Sequence, residues 1–216
     1  MIIAVTLVAA IISGLLMAMR TGLTAYQKVS ARLEANRRAM GLDQALHRQL
    51  NGMMPVLTQC VDGSALAAFN GDLGSLRFVS SSSLAEGARG YPRVVEYAVV
   101  PDPRGGVRLM MNERIYTGPS SLASLCGAQG FLPVQLTPQS VEMAGKMAYC
   151  RFAYRKPIPD SPLGADWLPV WQSVDLPRVV RLEMMPLEDD PSHLPMLTLN
   201  VPVHLTRLLL YPYADQ

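Results

Sequence analysis

The residues whose types could do chemistry are few and scattered along the chain. The histidines stand at His47, His193 and His204, with no His-Glu-x-x-His spacing to put two imidazoles and a general base on one helix face. His47 falls in a basic stretch of helix-forming sequence and His204 on the outward side of a strand pattern, so both read as surface groups. Ser80–Ser83 offers hydroxyls without a Gly-x-Ser-x-Gly turn or a base in sequence reach, and reads as a flexible loop. Gly145-Lys146 lacks the upstream glycine of a phosphate-binding loop and is followed by Met147. Glu188-Asp189-Asp190 is the acidic cluster. A calcium loop alternates its carboxylates around a central glycine, whereas Pro191 follows here, so a solvated turn is expected. No catalytic residue, metal, cofactor or small-molecule substrate is expected.

Three cysteines, Cys60, Cys126 and Cys150, make an odd count with no Cys-x-x-Cys spacing, against zinc and thioredoxin-like readings. Cys150 alternates with Ala148, Phe152 and Tyr154 on an inward strand face, the place of a buried thiol. In an exported domain this leaves Cys60 and Cys126, both in loop-like surroundings, as the pair to be bridged; three unpaired cysteines is the alternative. The net charge of +2, with both signs interspersed and few aromatics, excludes nucleic acid as a partner.

The elements that carry these residues begin with Met1–Met54. Met1–Met19 has no charge before Arg20 and is about the length of a membrane-crossing helix, with Ile2, Ile3, Val5, Leu7, Val8, Ile11, Ile12, Leu15 and Leu16 as its anchoring side chains. No proline interrupts the chain until Pro55, so one helix of about 50 residues is expected, its exposed half running over 20–54. At 100° per residue Leu23, Tyr26, Val29, Leu33 and Met40 share one stripe, whereas Ala35, Ala39, Leu42, Leu46, Leu50 and Met53 share another, rotated by well over a quarter turn. The second stripe is expected on the protein's own sheet. The first, with Leu23, Tyr26, Val29 and Leu33 at its centre, is expected to meet other helices. One curved helix on a single core is the alternative, with Gly22 and Gly41 marking bends. A cleaved signal peptide would need a basic start and a small-x-small cleavage site, which Met1-Ile2-Ile3 and the run through Arg20 do not supply. Arg20, Lys28, Arg32, Arg37 and Arg38 follow the apolar run and by themselves would hold that side in the cytoplasm.

Residues 55–216 read as one strand-rich globular domain. Ser64–Asn70 reads as a short helical turn and Leu76–Ser80 as the first strand. Arg93–Val100 and Val107–Asn112 form a hairpin around Pro101–Gly106. A short helix is expected near Ser120–Leu125, and Val134–Met143 is an extended piece broken by Pro138. Lys146–Tyr154 is a strand, followed by a loop over Lys156–Pro169 with four prolines. Leu176–Met184 turns Val180, Leu182 and Met184 inward. In Leu197–Leu205, Leu197, Leu199, Val201 and Val203 alternate with polar positions, and Pro202 places this strand on an edge. The class is α+β: a long N-terminal helix, transmembrane in its first half, packed on a mainly antiparallel sheet.

This plan resembles type IV pilins and pseudopilins, and within them the minor pseudopilin J of type II secretion systems. The run Glu34–Gln49, Phe69-Asn70-Gly71 before Leu76–Ser80, Val94–Tyr97, Phe152-Ala153-Tyr154, Trp171 and Leu176–Leu182 carry the resemblance in order. It implies a non-enzymatic subunit with a pilin-like fold, held in the inner membrane by a single pass with its C-terminal domain in the periplasm. Its implied partners are the I- and K-type minor pseudopilins and the pseudopilus, whose tip it would help to assemble for export of folded proteins. A minor pilin of a type IV pilus or competence system, or an enzyme on a membrane anchor, are the alternatives. The leader, glycine and Phe-Thr-Leu-x-Glu of that family are not in the sequence. The reading frame is therefore expected to begin upstream of Met1, where a basic leader would also resolve the orientation conflict.

Overall fold

The structure, a computed structural model, describes residues 2–60, 63–84, 90–127, 130–156, 167–188 and 194–205; within the first helix the side chains of Ile2, Val5, Val8 and Ala9 lie outside it. The order of elements is α1 (Ile2–Asn51), β1 (Met53–Met54), β2 (Leu57–Gln59), β3 (Ala65–Ala67), β4 (Asn70–Gly71), β5 (Ser75–Ser80), β6 (Arg93–Pro101), β7 (Val107–Ile115), α2 (Pro119–Ala123), β8 (Cys126–Gly127), β9 (Gly130–Phe131), β10 (Val141–Arg155), β11 (Trp167–Leu168), β12 (Val179–Pro186) and β13 (Leu197–Pro202). The main sheet runs β1-β5-β6-β7-β10-β12-β13, with β4 also on β5 and β11 also on β10, and its strand pairs are antiparallel. The fold is α+β, a long N-terminal helix on a mainly antiparallel sheet.

One face of the sheet meets α1. Leu42, Leu46 and Leu50, one helical turn apart, and Met53 just beyond the helix pack into a core with Leu76, Phe78, Val95, Tyr97, Leu109, Phe152, Leu182 and Met184. Strand alternation supplies the sheet side of that core, because inward residues recur at every second position. β13 lies at the end of the strand order, where Pro202 removes no ladder donor from a central strand.

The other face of β5–β7 is covered by irregular chain. Ala68, Val79, Val94 and Leu122 form a smaller core there, packed by Val56, Tyr116 and Leu125. A bridge joins Cys60 to Cys126, their Cα atoms 5.7 Å apart, and ties the segment after α1 to β8. Cys150 is a buried free thiol.

Four local expectations are corrected. Residues 64–70 form no helical turn: β3 pairs with β2, and Cys60 N–H donates to the Ser64 carbonyl at 2.9 Å, so pairing overrides the helix preference of alanine. Val134–Met143 is irregular until β10 begins at Val141, and Asn112 Nδ2 donates to the Gln135 carbonyl at 2.7 Å, holding this chain as cover. Ala148 is exposed, because a register shift between Met147 and Tyr149 puts Met147 inward and displaces the alternation by one before Cys150 resumes it. Ser80–Ser83 is a latch on the end of α1: Ser80 and Ser81 hydroxyls donate to the carbonyls of Gln49 and Gly52 at 2.7 and 3.0 Å.

Candidate interaction site

α1 has 50 residues, about 75 Å at 1.5 Å per residue. Burial against the domain starts at Ala35 and recurs at Leu42, Ala45, Leu46, Gln49 and Leu50. Between Ile3 and Glu34 every described side chain except the half-buried Ala31 is exposed. The helix therefore leaves its domain and projects for about 50 Å. Leu23, Tyr26, Val29 and Leu33 are 54, 72, 57 and 57% exposed on that projection, and Met40 continues their line past Ala35. These four lie on one face, as do Leu42, Leu46 and Leu50 on nearly the opposite one.

Three hydroxyls of the projection are satisfied within it: Thr21 donates to the Met17 carbonyl, Thr24 to Thr21 and Ser30 to Gln27, at 2.9, 2.9 and 3.0 Å. Of the expected anchor residues, Ile3, Leu7, Ile11, Ile12, Leu15 and Leu16 are exposed, while the side chains of Ile2, Val5 and Val8 lie outside the described residues. Among the described residues no helix is long and apolar enough to cross a membrane.

A buried polar network fixes the point where the packed half ends. Gln49 is enclosed; its Nε2 donates to Glu113 Oε1 at 2.8 Å and its Oε1 accepts from the Tyr97 hydroxyl. Glu113 also accepts from the Ser83 hydroxyl at 2.6 Å and the Leu84 N–H at 2.7 Å. Burial, with the nearby Glu113 carboxylate, pushes the Tyr97 phenol far above its ordinary range, so it stays a neutral donor. The network sets the rotation of α1 on the sheet, since a helix turned by one residue would leave Gln49 among apolar side chains.

On the covered second face Arg77 donates to Glu96 at 2.7 Å, with side chains 5 and 1% exposed. The Arg77 guanidinium also donates to the Leu132 carbonyl at 2.9 Å and lies 5.0 Å from the Phe131 ring centre. The sequence reading missed this pair. Its signal was the register of the β5–β6 hairpin, which sets Arg77 opposite Glu96.

The residues first weighed for chemistry do not converge. His47 Nε2 stands 3.4 Å from Asp43, both half-buried on α1, and His204 is exposed beyond β13. His193, Asp189 and Asp190 lie outside the described residues; Glu188 is exposed after β12. Among the described residues no group of three His, Cys, Asp or Glu side chains could hold a metal ion. Among the described residues, what the arrangement offers is an exposed apolar face on a helix seated on the sheet by its C-terminal half. No protein-family model matches the chain, and comparison with curated proteins gives no match.

Proposed function

We propose that the chain is a structural, non-enzymatic subunit of a helical assembly, a minor pseudopilin of a type II secretion pseudopilus. The observation that carries this reading is the projection of α1, with four large apolar side chains exposed on one face among the described residues. Helices in proteins draw most of their stability from packing an amphipathic face, and an exposed apolar patch marks a surface to be covered. Covering Leu23, Tyr26, Val29 and Leu33 against neighbouring helices removes each from water, a gain of about 1.5–3 kcal/mol per side chain. The domain then rides on the outside of the bundle, fixed in rotation by the Gln49 network.

In this reading the uncharged run Met1–Met19 sits in the inner membrane and the domain is periplasmic. The Cys60–Cys126 bridge fits an oxidising compartment. The partners are I- and K-type minor pseudopilins, placed with this chain at the pseudopilus tip, where it aids assembly and export of folded proteins. Co-expression of the full chain with those partners in membranes, followed by detergent extraction, tests it. Co-purification that is lost in Val29→Asp and Leu33→Asp while the domain still melts normally is expected. Recovery with neither partner, with the variants behaving as the parent, would overturn the reading.

A further inference from the structure

Where α1 leaves the domain, a cleft of about 530 Å³ opens between Arg38 on the helix, Arg104 in the β6–β7 turn, the 142–146 segment of β10 and Leu194. Cations from three elements reach it. The carboxylates beside it are already engaged: Asp102, its side chain fully enclosed, accepts from Arg104 Nε and Nη2 at 3.0 and 2.9 Å and from the Lys146 N–H at 2.9 Å. Glu142 accepts from Arg104 Nη2 at 2.6 Å and stands 3.5 Å from Arg108. Among the described residues Arg38 meets Glu34, at 3.4 Å, with both side chains more than half exposed, and such a pair gives way readily to another anion. Among the described residues the Lys146 ammonium has no ion-pair partner.

Lys146 is also held in an unfavourable backbone conformation. With φ at 55° it is the one non-glycine residue of positive φ among the described residues, at the irregular register of β10 against β7. A Cβ at the adjacent Gly145 would lie 2.4 Å from Glu142 Oε1 and 2.6 Å from Arg104 Nη2, so a side chain there would push aside the two ends of this ion pair. The turn at 146 would be less strained with glycine, yet it carries a cation facing a cleft.

We propose that this cleft is a carboxylate-binding site for an acidic segment of a partner protein, with Lys146 as its principal cation and Arg38 as its second. Met143 and Leu194 supply apolar wall for the methylenes of an aspartate or glutamate. Glu142 on the rim repels a dianion more than a monoanion, which favours a carboxylate over a phosphate. The site belongs to the domain and does not depend on what covers the projecting helix.

Lys28, Lys146 and Lys156 are the lysines of the chain, so carbodiimide coupling reads the site directly. The full chain in detergent is titrated with a fluorescent, terminally blocked tetraglutamate peptide, then coupled and mapped by mass. Coupling concentrated at Lys146 is expected, with affinity about tenfold weaker in Lys146→Gly. That variant should melt no lower than the parent, which separates lost binding from lost folding. Lys146→Arg should keep the affinity and lose the coupling. Equal affinity in Lys146→Gly, coupling spread evenly over the three lysines, or displacement of the peptide by stoichiometric inorganic phosphate would each overturn the assignment.

Discussion

The two halves of α1 share one continuous backbone and differ in what their leucines meet. Leu33 is 57% exposed, whereas Leu46 is 1% exposed on a sheet whose shape accepts it. The packed half is fixed in rotation by Gln49 and latched at its end by Ser80 and Ser81. Among the described residues the projecting half makes hydroxyl back-bonds of its own and an exposed Glu34–Arg38 pair. A single helix thus combines a stretch buried on the fold with a stretch whose described side chains are exposed. The boundary near Ala35 is set by where the sheet ends and not by any break in helix propensity.

Substitution should separate the halves most sharply at Leu46. Leu46→Ala should cost about 2–5 kcal/mol, read as a large drop in melting temperature of the full chain in detergent. Leu33→Ala should stay within about 0.5 kcal/mol of the parent, as exposed positions do. Equal losses at the two would mean that the helix is folded as one unit on its own core.

Reduction of the Cys60–Cys126 bridge acts on the far side of the sheet from the helix, and should cost about 2–4 kcal/mol by loosening the cover of β5–β7. Calorimetry with and without reductant measures it. The contacts made by Leu33 should not change, and a change would tie the projecting half to the domain. Gln49→Ala comes next, at about 1–3 kcal/mol, because it leaves the enclosed Tyr97 hydroxyl without its acceptor. Exposed Glu34→Ala should cost no more than about 0.5 kcal/mol.

Cys150 gives a smaller and pH-dependent contrast. Burial pushes its thiol from an ordinary 9.0 up to about 12, so the fold favours the protonated form. The sign follows: this contribution to stability is complete below pH 9 and is lost as pH rises towards 12, since the unfolded thiol ionises first. Alkylation at neutral pH should therefore be slow in the parent and in Leu33→Asp. It should be faster in Leu46→Ala, which opens the same core. Equal rates in all three would separate Cys150 from the helix contact.

Much of this was legible before the structure. Absence of proline over Met1–Met54 marked the long helix, 100° periodicity separated Leu33 from Leu46, apolar runs between turn signals marked β5, β6 and β7, and period-two alternation marked β12 and β13. What was not legible depended on pairing partners far apart in sequence. The Arg77–Glu96 pair needs the hairpin register and the cover over it, and Gln49 needs Tyr97 and Glu113 from two strands. Ala148 was misplaced because the irregularity between Met147 and Tyr149 interrupts the alternation there, while Cys150, Phe152 and Tyr154 keep the expected face. Serines 80–83 carry loop-like composition, and only the nearby end of α1 turns their hydroxyls into a latch. The projecting stripe was expected off the protein's own sheet and is exposed; the start of burial at Ala35 was not legible, since only the extent of the sheet decides which turns of a helix it reaches.

The most direct test of the division is to place a photo-activated cross-linking residue at Leu33 of the full chain in intact cells that make the whole secretion apparatus. The account predicts a covalent adduct with another subunit through its own N-terminal helix, lost when Val29→Asp is added. Adducts confined to this chain's own domain, or none above the level seen with the cross-linker at exposed Arg48, would contradict it.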